Sequence, residues 1–508
     1  MTYFHFNFIT LFIFVAFIMS LVKKWKRSEQ LKKLPPGPWK LPVIGNIHHL
    51  IGPPPHHILK NLAHKHGALM HLQLGEISAI VISSPRLAEE IMKTHDLAFA
   101  NRPELLVSKI LCYNSSDIVF SPYGDYWRQL RKICTLELLS AKNVRSFGSI
   151  RQDEAFHLIS SIRSLAANGT PINLTKTISS FTSSIICRAA FGKVCRDDQD
   201  KFIQIMKDSI ALTGGFDISD LFPSWKILHG LSRMKPKLLM VQHEFDTILD
   251  SIINQHIENL EKTRNDGDPG DEDLIDVLLR VKKSGDLQFP LTKSNIKAVV
   301  YDMFTGGTET SSTTVEWAMA EMIRNPNVMA KAQNEVRKAF MAKKTIEESD
   351  IQELRYLKLV IKETLRLHPP VPLLVPRECR EECEIDGYVI PVKTRALINA
   401  WAIGRDPEYW SDPDIFQPER FEQNSCEFTG VNFKYLPFGA GRRICPGLQF
   451  GLANTELPLA LLLYHFDWKL PDSMNSCCLD MTETCGMTAA RKNNLILAAT
   501  SYDPHDTS

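Results

Sequence analysis

The residue with the most distinctive chemical setting in this 508-residue chain is Cys445, within Pro437-Phe438-Gly439-Ala440-Gly441-Arg442-Arg443-Ile444-Cys445-Pro446-Gly447. Pro446 suits a first helical position and an apolar helical run continues through Leu463, so the spacing predicts a loop that presents one sulfur at a helix start. Unpaired amides there, such as those of Gly447 and Leu448, favour a thiolate together with the helix dipole. Gly439 and Gly441 allow a tight turn, Phe438 offers an apolar lid, and Arg443 lies two residues from the sulfur, where it could pair with an anion. Metal ligation, nucleophilic attack and redox chemistry are all open to such a cysteine.

A second chemical group lies in Thr292 to Arg324, which reads as one helix ending before Pro326. At ~1.5 Å per residue it is roughly 50 Å long, enough to cross the whole body. Its middle, Gly306-Gly307-Thr308-Glu309-Thr310-Ser311-Ser312-Thr313-Thr314, strings together poor helix formers, each glycine costing ~1 kcal/mol relative to alanine. A long helix that breaks local preference at its centre is a candidate functional site. Glu309 and Thr310 put a carboxyl beside a hydroxyl, a combination able to hold and relay protons. Val299, Met303, Gly306 and Thr310 recur at helical spacing, so one face is expected to line a pocket. Asp302 lies near that face, as a substrate contact or as part of a capping or packing network.

Other pairs are defined by helical spacing alone. Trp127 and Arg131, four apart, share a face and combine an indole donor with a guanidinium suited to carboxylates. Glu363 and Arg366, three apart in a helix expected from Ile351 to His368, would on a surface form an ion pair contributing ~0.3 to 0.5 kcal/mol. Seven of the sixteen histidines fall between His48 and His71, which raises the question of a metal site. No carboxylate or cysteine joins them at customary ligand spacing and Pro53-Pro54-Pro55 splits the pairs, so solvated or membrane-facing histidines are expected.

The elements that must position these groups belong to one large body, because the interior has no long Gly/Ser-rich or Pro-rich linker and no internal repeat. A net charge of +1 with 23% charged residues argues against a nucleic-acid binder, which would carry a basic excess. Eleven cysteines, an odd number, read as reduced thiols and so as a body facing the cytosol. Phe4 to Val22 is apolar apart from His5, Asn7, Thr10 and Ser20, and Lys23-Lys24-Trp25-Lys26-Arg27 follows at once. Those residues would span roughly 28 Å as a helix, close to the hydrocarbon thickness of a bilayer. With the basic cluster after the apolar run and no Ala-x-Ala-like site, residues 1–22 are expected to be an uncleaved anchor, with the rest of the chain cytosolic. A basic, proline-rich hinge follows over 23–50, in which Leu34-Pro35-Pro36-Gly37-Pro38 must be extended, and the body occupies 51–508. His71 to Gly75 and Ala79 to Ile82 read as strands of a small sheet, the first with period-two alternation. An acidic, turn-rich stretch over 265–273 reads as a solvated loop.

Phe438, Gly441, Arg443, Cys445 and Gly447 match Phe-x-x-Gly-x-Arg-x-Cys-x-Gly, and the loop thereby resembles the haem-ligand signature of the cytochrome P450 family. Ligation by a cysteine thiolate is a property of that family, not a deduction from these residues. Gly306 to Thr310 is similar to the family's oxygen-binding groove, Trp127 and Arg131 to its Trp-x-x-x-Arg element, and Glu363 with Arg366 to its Glu-x-x-Arg. Pro418-Glu419-Arg420-Phe421 and the proline-rich hinge resemble the plant microsomal branch. The resemblance implies a mostly α fold with a small β region, and haem b between the long central helix and the cysteine loop, its iron on Cys445. It further implies haem contacts from Trp127, Arg131, Arg377, Phe438, Arg443 and Gly447, and proton delivery by Glu309 and Thr310. The implied substrate pocket comprises Val299, Asp302, Met303, Gly306, Val371, Leu373 and Met487. Glu363, Arg366 and Arg420 become a buried network that holds the cysteine loop in place.

Gly439-x-Gly441 is not a dinucleotide fingerprint, so electrons must come from a partner. The resemblance implies a membrane-bound NADPH-cytochrome P450 reductase, docking near Lys132, Lys434 and Arg442. The implied activity is O2-dependent hydroxylation of a bulky apolar metabolite at the endoplasmic reticulum membrane. The run of the chain is most similar to a plant group that hydroxylates terpenoids, with some relatives that oxidise indole alkaloids. A haem-thiolate isomerase or dehydratase needing no reductase, and a haem-binding module without turnover, are the alternatives.

Overall fold

Capping explains where the longest helix begins and packing explains why its weak centre stays helical. In the computed structural model, this central helix runs Lys293–Arg324. The Thr292 hydroxyl accepts from the Asn295 amide while the Asn295 side chain accepts from the Thr292 N–H, a reciprocal cap. Asn325 and Pro326 end it. On either side of the glycines it is buried, through Val299, Val300 and Tyr301 and again from Thr313 to Ile323. It lies chiefly against the helices Leu174–Phe191 and Leu448–His465, within the main apolar core. The two glycines do different things. A Cβ on Gly307 would meet Ile186 Cδ1 at 2.7 Å, so this residue lets the neighbouring helix approach, whereas a Cβ on Gly306 would meet nothing within 4 Å.

The structure describes residues 34–192, 199–213, 217–230, 232–263, 272–285, 287–341, 343, 346–422, 426–471, 475–484 and 486–503. The expected anchor, the first part of the hinge and most of the acidic stretch lie outside these residues, and no helix among those described is long and apolar enough to cross a membrane. Helices dominate. A four-stranded sheet has the order Leu69–Leu74, Ile77–Ile82, Arg395–Ile398, Arg377–Glu378, antiparallel, parallel and antiparallel in turn. A three-stranded sheet joins Ile172–Asn173, Ile496–Ser501 and Phe466–Lys469, and Cys383–Ile385 pairs with Tyr388–Ile390. Asp386 and Gly387, both with positive φ, make the turn of that hairpin.

Local reading misplaces three boundaries or burial patterns. Leu69–Leu74 is buried almost throughout, because one face of its sheet packs on Leu87, Ile91 and Phe99 and the other on Leu59 and Leu62. The helix expected from Ile351 begins at Arg355, since its first free amides, those of Tyr356 and Leu357, are capped by Glu335 of another helix at 2.7 and 2.9 Å. The helix after the cysteine loop begins at Leu448, not Pro446. The histidines also depart from expectation. His64 is exposed, but His71 is buried against Ser78 and Lys40, and burial, then the Lys40 charge, pushes its pKa down to about 3. His56 is buried as well.

Candidate functional site

The cysteine loop is held by its own backbone. Cys445 N–H donates to Phe438 O at 3.0 Å, and Gly439 and Gly441 take φ of 70° and 68° to close the turn. Gly441 is sterically fixed as well, because a Cβ there would lie 2.3 Å from Met92 O. Gly447 N–H donates to the Cys445 sulfur. Burial nevertheless pushes the thiol up, against that amide and the Arg131 charge, so the helix start does not by itself yield the expected thiolate. A cation bound to the sulfur would do so.

Guanidinium groups crowd the space beside the loop. Arg443 donates to Ala100 O at 2.8 Å and Ser121 O at 2.6 Å and stacks 4.2 Å from the Trp127 ring, whose N–H donates to Ile118 O at 3.0 Å. Arg377 donates to Asp96 at 2.9 Å and Ala440 O at 2.7 Å. Arg102, which no sequence pattern marked, donates to Val375 O and Pro376 O at 2.6 and 2.8 Å. Burial lowers the pKa of Arg102, Arg377 and Arg443, and Arg377 further depresses both of the others, bringing Arg443 to about 9. A guanidinium keeps its charge in proteins, Arg131 lies half-buried nearby, and Asp96 is ion-paired to Arg377 of this group. Buried positive charge in excess, one sulfur ligand and open space at Gly306 fit an iron porphyrin with two acid groups.

On the central helix, Thr310 donates to Gly306 O at 2.6 Å. Glu309 turns elsewhere, toward the Thr488 hydroxyl, and lines a cavity of about 420 Å³ with Thr308, Ser312, Met487 and Lys207. Burial raises its pKa against the Thr488 hydrogen bond, which suits it to carry a proton. The two residues are thus neighbours in sequence without being hydrogen-bonded to each other, and Met487, expected at the substrate, shares the Glu309 cavity.

Three expected pocket residues are placed differently. Val299 is fully buried in the main core, and Leu373 leans on the sheet cluster of Leu59 and Met70. Asp302 accepts from the amides of Ile118 and Val119 at 2.7 and 3.2 Å, so its carboxyl fixes the loop whose Ile118 carbonyl receives Trp127. Burial, then the neighbouring Asp117, holds the Asp302 carboxyl far above the usual range. Met303 and Val371 are half-buried and Gly306 is open.

Glu363, Arg366 and Arg420 form one buried group. Arg366 grips Glu363 through two bonds of 2.7 and 2.8 Å, Arg420 adds a third at 2.9 Å, and further guanidinium hydrogens go to the carbonyls of Gly404, Pro413, Ser411, Asp412 and Ile415. Trp410, over Arg366, begins an aromatic series through Tyr435 and Phe428 to Phe438 in the cysteine loop.

The chain resembles known proteins over nearly its whole length. The pattern of the family described as Cytochrome P450 matches residues 35–497. Premnaspirodiene oxygenase of Hyoscyamus muticus is 60% identical over 98% of this chain and 99% of its own. 5-Epiaristolochene 1,3-dihydroxylase of Nicotiana tabacum is 58% identical over 98% and 99%. Tabersonine 3-oxygenase of Catharanthus roseus is 56% identical over 97% of each. Among solved structures, a zebra fish cytochrome P450 with abiraterone shares the fold, with a TM-score of 0.74 at 23% identity over 89% of this chain and 100% of that one. Sequence, fold and the sulfur-centred, cation-lined site therefore agree: the chain belongs to the cytochrome P450 family of monooxygenases, whose haem is held by a cysteine thiolate.

Proposed function

We propose that this protein hydroxylates a bulky, largely hydrocarbon terpenoid, using O2 and electrons passed from NADPH by a reductase at the endoplasmic reticulum membrane. The observation that carries the reading is the 60% and 58% identity to premnaspirodiene oxygenase and 5-epiaristolochene 1,3-dihydroxylase. Haem bound at Cys445 supplies the activation of dioxygen. Trp127, Arg131, Arg377 and Arg443, with Arg102 beside them, neutralise and orient its acid groups, while Phe438 and Gly447 enclose the sulfur. Gly306 leaves room where the central helix passes the reacting centre. Glu309 holds a proton supplied from its polar cavity, and Thr310 presents its hydroxyl oxygen to the reaction space. Met303 and Val371 give the substrate apolar walls, so orientation selects the carbon attacked.

Residues 1–22 anchor the enzyme, 23–50 form the hinge, and the body over 51–508 faces the cytosol with Lys132, Lys434 and Arg442 toward the reductase. An indole alkaloid is the second substrate reading, favoured by 56% identity to tabersonine 3-oxygenase. Microsomes carrying the protein and a plant reductase, incubated with terpenoid and indole-alkaloid panels, separate the two by mass spectrometry. The expected outcome is a terpenoid product one oxygen heavier that requires both NADPH and O2. Oxidation confined to alkaloids overturns the substrate assignment, and product formed without NADPH overturns the monooxygenase cycle for this chain.

A further inference from the structure

Away from the haem pocket, a group of ligating side chains gathers where distant parts of the chain meet. His56 and His57 lie in the first turn of the helix Pro55–His66, His368 follows the helix Arg355–Leu367, and Glu483 precedes the turn carrying Met487. Glu483 Oε2 is 2.6 Å from His56 Nε2 and 3.2 Å from His57 Nε2, and its Oε1 is 3.8 Å from His368 Nδ1. The side chains of His56, His368 and Glu483 are buried, while that of His57 is 38% exposed.

The orientation of His368 leaves one ring nitrogen available as a ligand. Its Nε2 lies 2.8 Å from Glu321 Oε1, and its ring is stacked on Trp317 with centroids 4.0 Å apart and 4° between the planes. With Nε2–H donated to Glu321, Nδ1 presents a lone pair. That atom is buried, has no hydrogen-bond partner among the described residues, and faces a carboxylate oxygen beyond hydrogen-bond reach. A carboxylate that fixes one imidazole nitrogen so that the other points at a ligand is the arrangement found behind metal-bound histidines.

We propose that His56, His57, His368 and Glu483 form a binding site for a divalent cation of the zinc class, tying the helix Pro55–His66 to the segment that leads into the Met487 turn. The ligand atoms of His56, His57 and Glu483 lie within 4.8 Å of one another, and three imidazole nitrogens with one carboxylate oxygen suit tetrahedral zinc at ~2.0–2.2 Å from each. A cavity of about 500 Å³ lined by His57, His368 and Glu483 gives an approach from solvent. Arg405 and Arg324 stand on its wall and oppose a cation, but Asp414 lies 3.3 Å from the first and Glu321 4.0 Å from the second.

The full-length holoenzyme, stripped with a chelator and titrated with zinc chloride in a calorimeter, tests the site, and the carbon monoxide difference spectrum verifies that each variant is loaded and folded. Wild type should take up one zinc per haem. His57→Ala and Glu483→Gln should each weaken binding at least about tenfold, and Glu321→Gln, a positioning change that removes no ligand, by about tenfold. Wild type that takes up no stoichiometric zinc overturns the proposal, as does a folded His57→Ala enzyme that binds zinc as tightly as wild type. The half-exposed His57 ring makes that variant decisive even where Glu483→Gln does not fold.

Discussion

At the scale of single residues, Glu309 and Thr310 sit side by side in the chain yet meet different surroundings, because successive helical side chains point about 100° apart. Glu309 faces a polar cavity and Thr488, while the Thr310 proton is already committed to Gly306 O at 2.6 Å. The free capacity of the Thr310 hydroxyl is therefore as an acceptor, able to fix a water or a reacting oxygen. Thr310→Ala removes that acceptor without touching the sulfur or the arginines. The expected outcome is a carbon monoxide spectrum like that of wild type, more hydrogen peroxide released per NADPH, and product formation lower by about tenfold or more. Peroxide and product measured against NADPH consumption check it, and unchanged coupling removes Thr310 from proton delivery.

At the scale of elements, the helix Leu448–His465 carries the loop at its start and an unusual acid in its middle. Burial, reinforced by Glu348 and opposed by Lys358, raises the Glu456 carboxyl from 4.5 to about 7. An acid with a higher pKa folded than unfolded binds its proton more tightly in the folded state, so stability falls as pH rises between those two values. The penalty is complete above the folded pKa and absent well below the unfolded one. At about pH 8 it amounts to roughly 2 kcal/mol after allowance for solvent relaxation. Glu456→Gln cannot ionise. The variant is expected to melt above wild type at about pH 8, with the gap narrowing by about pH 5.5, and thermal unfolding followed at the haem band across that range measures it.

At the scale of the whole molecule, the Glu363, Arg366 and Arg420 group joins the helix Arg355–Leu367 to the segment around Pro418 and, through Trp410, Tyr435 and Phe428, to the cysteine loop. Glu363 is fully buried between two cations. Glu363→Gln removes the carboxylate that Arg366 and Arg420 share in a dry interior, which costs about 3–5 kcal/mol. The expected outcome is a large drop in haem-loaded protein and an earlier denaturation midpoint, read from haem content and a denaturant titration. A variant with wild-type haem content and midpoint would show that the two arginines are held without that carboxylate.

The local motifs were legible because their chemistry depends on close spacing along the chain. The cysteine loop needs Gly441 where a side chain would strike Met92 O, and the central helix announces its opening by consecutive glycines. Those features determined the family, the mostly helical fold and the position of the sulfur. Tertiary structure alone decided where long side chains spend their charge. Asp302 turned to the Ile118 amide, Val299 entered the core, Arg102 joined the arginines, and Glu483 met His56 from 427 residues away. No spacing rule encodes such meetings, because a buried charge or lone pair takes whichever partner the packed chain brings within reach.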